Sequence, residues 1–127
     1  MGEHLTFKPS GEPAVIGPRL LERACRSPLI VGQDFGDGSF RLVFCGNDAV
    51  AFDEHRRLQT VGGPSESLCR LEWLPWRCSL SVFAGGMEGS RRELRDYLQW
   101  VLAEFGPCRV HDEDAGCDVS VEALGDL

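Results

Sequence analysis

The chain reads as an α+β domain: an antiparallel β-meander of five to six strands packed against one main α-helix, with a short N-terminal helix. Three observations predict it. Between Leu29 and Ala84, short apolar runs alternate with Gly-, Asp- and Pro-rich turns, which is how antiparallel strands joined in sequence order are written. Residues 90–105 carry an apolar stripe at helical spacing. The 127 residues, 43% hydrophobic and 26% charged, suit one ordinary core, and no linker or internal repeat divides them.

Residues 1–13 contain Gly2, Pro9, Gly11 and Pro13 with little periodicity, and are expected to form a flexible arm on a single domain spanning 1–127. In "GPRLLERACRSP", Pro18 suits the first position of a helix. Leu20, Leu21, Ala24 and Cys25 share one of its faces, and Ser27-Pro28 stops it. "LIVGQ" and "FRLVFC" flank the turn "DFGDGS", with Phe40, Leu42 and Phe44 opposite Arg41 and Val43. "AVAFD" and "LQTV" continue the meander around the turn "EHRR".

The segment "CRLEWLPWRC", Cys69 to Cys78, reads as a hairpin with Cys69, Leu71 and Trp73 on one face. Trp76, Cys78, Leu80, Val82 and Ala84 share a face of the outgoing strand. Pro75 favours the second position of a tight turn, which would pair Leu74 with Arg77 and Trp73 with Cys78 and leave Trp76 at the bend. In "GSRRELRDYLQWVLAEFGP", Ser90 and Glu93 match a capping box, and Gly106-Pro107 ends the helix. Leu94, Tyr97, Leu98, Val101, Leu102 and Phe105 form its stripe; Trp100 falls on the flank with Asp96 and Glu104. "CRVH" and "CDVSV" add two short strands. The core should draw on Leu42, Phe44, Val50, Phe52, Leu71, Leu80 and Val82 from the strands, with Leu94, Leu98, Val101, Leu102 and Phe105 from the helix.

Charge narrows the function. A net charge of -7 argues against nucleic-acid binding, which needs a basic face, and against adsorption to anionic lipid. No apolar run approaches the roughly 20 residues of a membrane span, and "MGEHLTFKPSGEP" has neither the basic nor the apolar region of a signal peptide, so the cytoplasm is the expected location.

The six cysteines (25, 45, 69, 78, 108 and 117) contain no C-x-x-C and are expected to be reduced, mostly buried thiols, with Cys25 and Cys45 on apolar faces. Cys108, His111 and Cys117 make the best zinc trio, but in a strand Cys108 and His111 point to opposite faces, so no metal or other cofactor is expected. "HDEDAGCD" misses the EF-hand pattern, since Gly116 arrives fifth and Ala123 stands in the twelfth place. No G-x-S-x-G occurs, and only His4, His55 and His111 could activate a thiol or hydroxyl.

What remains points to binding. Trp76 and Trp100 are candidate aromatic anchors, Asp96 and Glu104 flank Trp100, and Asp112, Glu113, Asp114 and Asp118 open an acidic stretch that runs to the C-terminus without a base. In type, the chain resembles the small bacterial immunity or antitoxin proteins, which neutralise a toxin by binding it. The resemblance rests on size, acidity and aromatic anchors, and no family motif covers any part of the chain. It implies a protein partner, cationic in character, and no catalytic residues. The alternative is a small enzyme or anion- or ligand-binding domain. It would use the Gly85–Ser90 loop with Arg91 and Arg92, where a helix N-terminus could hold an anion, or the Asp53–His55 turn.

Overall fold

Apolar side chains at alternate positions give the central strands of the sheet a buried face, and two helices pack against it. The computed structural model describes residues 3–45, 50–52, 58–60, 68–85 and 88–120, with segments 50–52 and 58–60 described by backbone alone. The strands are β1 (His4–Lys8), β2 (Ile30–Asp34), β3 (Phe40–Phe44), β4 (Val50–Phe52), β5 (Leu58–Thr60), β6 (Cys69–Leu74), β7 (Ser79–Phe83), β8 (Arg109–Asp112) and β9 (Cys117–Val119). The helices are α1 (Pro13–Cys25) and α2 (Glu88–Phe105). The main sheet is antiparallel throughout, in the order β2-β3-β6-β7-β1-β8-β9.

Register explains the core. One row of cross-strand neighbours runs Leu42, Leu71, Val82, Leu5; the next runs Phe40, Trp73, Leu80, Phe7, Val110. All nine are essentially buried, each contributing about 1.5–3 kcal/mol by leaving water. Ile16, Leu20 and Ala24 of α1 and Leu94, Tyr97, Leu98, Val101 and Phe105 of α2 join the same cluster. Tyr97 Oη donates to the Leu20 carbonyl at 2.7 Å and ties the two helices together. Among the described residues no helix is long and apolar enough to cross a membrane.

The α+β class and the α2 stripe are as the sequence predicts, but the meander is not continuous. β4 and β5 pair only with each other, and β3 pairs directly with β6. β3 and β6 match on both faces, Leu42 against Leu71 and Arg41 against Glu72, with an ion pair of 3.1 Å. The side chains of Val50 and Phe52, expected in the core, lie outside the described residues.

Residues 4–8, expected within a flexible arm, instead form β1 in the sheet interior, between β7 and β8. Leu5 and Phe7 supply the burial that orders it; a two-residue alternation among Gly and Pro is too short to stand out. β8 and β9 then extend the sheet past β1, giving a seven-stranded main sheet in place of the five or six strands expected, with α1 as well as α2 packed on it.

Helix α1 begins at Pro13, five residues before the proline expected to start it. Pro18 sits inside: its ring suits helical φ, and it forfeits only the N–H that would have reached the Ala14 carbonyl. The buried face becomes Ile16, Gly17, Leu20 and Ala24, while Cys25 is exposed instead of apolar-facing. The β6–β7 connection is also longer than predicted. Pro75–Arg77 forms a 3-10 turn and Cys78 takes the left-handed region at φ 45°, so Leu74 pairs with Ser79 and Trp73 with Leu80. A shift of two residues keeps Leu80 and Val82 on their predicted face, while Trp76 and Cys78 leave it for the turn.

Candidate functional site

The largest described cavity is a cleft of about 730 Å³ where three connections meet. Helix α1 supplies Pro13, Ala14, Gly17, Pro18 and Leu21; the β2–β3 loop supplies Asp34, Gly36, Asp37 and Gly38; the sheet end supplies Phe40, Trp73 and Pro75. Its shape follows from the sequence. "GP" inside α1 removes a side chain where helix and sheet touch, and a Cβ on Gly17 would come within 2.8 Å of Trp73 Nε1. Gly36 and Gly38 adopt φ of 83° and 90°, which L side chains rarely tolerate, and so let the loop fold back tightly.

The rim is apolar and acidic. Trp76 follows Pro75 and is 63% exposed, the most exposed large hydrophobic among the described residues. Phe35 and Val15 are exposed as well, and each adjoins lining residues in the chain. Two carboxylates and no lysine or arginine line the cleft. Asp34 Oδ1 accepts the Gly36 N–H at 2.8 Å, and Asp37 Oδ1 accepts the Ser39 N–H at 2.8 Å together with the Ser39 hydroxyl. Those Ser39 bonds hold the Asp37 carboxyl below the usual carboxylate range, so it is anionic at neutral pH.

Of the residues singled out from the sequence, Trp76 is the one next in the chain to a lining residue, Pro75. The others lie elsewhere. Trp100 is half-buried in the seam between the helices, with Tyr97 and Phe105 at 5.6 Å on its two sides and the Arg23 guanidinium over its ring at 5.8 Å. Glu104 pairs with Arg19 beside it, and Asp96 lines a separate small recess.

In the acidic stretch at β8–β9, Glu113, Asp114 and Asp118 are exposed and each is also bonded to a neighbour. Asp112 is buried and accepts the N–H groups of Asp114 and Ala115. Asp114 accepts from the N–H of Glu3 and of His4 at 2.7 and 3.0 Å, and its carboxyl is held low chiefly by the His4 N–H. Glu113 accepts the Thr6 hydroxyl at 2.6 Å. Asp118 meets His111 at 2.8 Å and Arg109 at 3.1 Å, and His111 contributes most to its lowered pKa.

The alternative sites are described only in part. Asp53–His55 and Gly86–Met87 lie outside the described residues. Ser90, expected to cap α2, sits within its first turn: it accepts the Cys69 N–H at 2.7 Å and donates to the Phe44 carbonyl at 2.5 Å, while Glu93 accepts from Ser27. Arg91 pairs with Glu88 at 3.0 Å and Arg92 is exposed. All six cysteines are free thiols, with Cys45 and Cys69 buried and Cys25 and Cys117 exposed. Burial raises the Cys69 thiol pKa, and its Sγ donates to the Gly85 carbonyl. Among the described residues no group of three His, Cys, Asp or Glu side chains is placed to hold a metal ion.

The residues that build the cleft carry weak sequence signals: Asp34 and Asp37 lie in a turn rich in Gly and Asp, and Gly17 precedes a proline. Their convergence depends on the β3–β6 pairing, which no local pattern encodes. No family model, no curated protein and no solved structure matches the chain.

Proposed function

We propose that the chain is a protein-binding module that neutralises a partner by occlusion, an inhibitor of the immunity or antitoxin type acting on a cationic toxin or enzyme. The observation that carries this reading is an apolar cleft whose charged lining residues are Asp34 and Asp37, with exposed Trp76 next in the chain to its lining residue Pro75. Exposed tryptophan beside a pocket is the usual anatomy of an interface hot spot. A net charge of -7 raises the encounter rate with a basic partner. Occlusion asks no chemistry of the inhibitor: burying the partner's working surface is enough.

The test is direct. The product of the neighbouring gene, purified separately, should form a one-to-one complex with the chain by calorimetry and lose its activity as the complex forms. Trp76→Ala should weaken binding at least about tenfold, roughly 1.4 kcal/mol, and added salt should slow association. A neighbour that neither binds nor is inhibited, or a Trp76→Ala variant that binds like wild type, contradicts the reading.

A further inference from the structure

We infer that the cleft is a socket for one segment of the partner protein: an apolar side chain next to a lysine or arginine, with a backbone carbonyl that accepts the Trp73 indole N–H. This rests on the protein-binding reading and specifies what the surface takes.

Trp73 carries the first half of the inference. The residue is 1% exposed, and its N–H has no acceptor among the described residues. Buried indoles ordinarily find one. The described polar side-chain atoms sealed away without a partner are Gln33 Oε1 and Arg91 Nε. Trp73 lines the cleft together with Gly17, and its Nε1 faces the position a Gly17 Cβ would take. Gly17 matters for the same reason, because any side chain there would close on that nitrogen. The cleft therefore presents one donor, set in an apolar wall, that wants an acceptor from outside.

Charge carries the second half. Asp34 and Asp37 each use Oδ1 to hold their own turn, and among the described residues no bond engages Oδ2 of either, so both can receive a cation. Pro18 brings no N–H to the Ala14 carbonyl, and both residues line the cleft, so a further acceptor is at hand. An indole donor beside acidic acceptors complements a peptide carbonyl beside a basic side chain. A volume of about 730 Å³ has room for one such side chain and its flanking backbone. A second copy of this chain is a poor occupant, since it would bring another -7 to an acidic rim.

The measurement is the Trp73 indole resonance in the 15N-labelled chain, assigned by elimination with Trp76→Phe and Trp100→Phe. Ac-Gly-Leu-Arg-Gly-NH2 should move it downfield saturably, and Ac-Gly-Leu-Glu-Gly-NH2 should bind at least fivefold more weakly. The double variant Asp34→Asn/Asp37→Asn, which keeps both turn-holding oxygens, should bring the two peptides within twofold of each other. A silent Trp73 resonance or an equal response to both peptides overturns the inference. So does a shift that depends on protein concentration without peptide, which would seat a second copy in the cleft. Peptide indifference with Trp76-dependent partner binding intact removes the socket alone; loss of that binding removes the reading beneath it.

Discussion

Ser90 shows how one hydroxyl can hold more structure than the motif it belongs to. "SRRE" matches a capping box, yet the helix starts two residues earlier and Ser90 Oγ instead bridges the Phe44 carbonyl of β3 and the Cys69 N–H of β6. Ser90→Ala strands both groups in the interior, at about 1–3 kcal/mol for each. The urea midpoint should fall accordingly; an unchanged midpoint would mean the bridge is dispensable. Thiol reactivity is a second consequence at this scale. Cys25 and Cys117 are exposed, whereas Cys45 and Cys69 are buried and burial keeps the Cys69 thiol protonated. Iodoacetamide followed by peptide mass mapping should label Cys25 and Cys117 first and reach Cys45 and Cys69 only on unfolding.

Among the elements, β1 and the β8–β9 hairpin depend on each other. Asp114, in the turn between β8 and β9, accepts the N–H groups of Glu3 and His4 at the start of β1. Its carboxyl pKa is depressed in the fold. Its stabilising contribution is therefore fully present above the ordinary carboxylate value, near 3.9, and is lost as pH falls through the lower value it holds in the fold. Asp114→Asn should flatten the acid limb of a plot of urea midpoint against pH while leaving its shape at pH 6–8 unchanged. An acid limb as steep as wild type would assign that pH dependence to other carboxylates, such as Asp118. The same pair of elements shows what the sequence conceals. "HLTFK" alternates Leu5 and Phe7, enough for a strand but too brief beside Pro9 and Gly11 to outweigh them. Its two partners come from residues 79–83 and 109–112, a pairing that only the closed sheet reveals. Helix α2 is readable because its stripe, Leu94 to Phe105, repeats over about three turns, and α1 less so because Pro18, usually a first-turn residue, is here tolerated inside.

At the scale of the whole molecule, the sheet buries one face under two helices, and three loop and helix segments meet at the cleft beside its β2–β3 turn. Trp76 was visible in the sequence as a tryptophan at a bend, since Pro75 marks the turn whatever its exact length. Asp34, Asp37, Gly17 and Trp73 were not, because their meeting depends on β3 skipping β4 and β5 to pair with β6. Of the acids in the C-terminal stretch, Asp112 is buried, while Glu113, Asp114 and Asp118 bond to neighbours in the fold and remain exposed. Negative charge with uncommitted oxygens stands at the cleft.

Hydrogen–deuterium exchange of the chain, alone and saturated with the product of the neighbouring gene, locates the contact surface without any substitution. Protection should concentrate in residues 13–21, 34–40 and 73–78, the three segments that meet at the cleft. Protection confined to the Asp96–Glu104 flank of α2 or to the β8–β9 hairpin, with those three segments unchanged, would place the binding surface elsewhere.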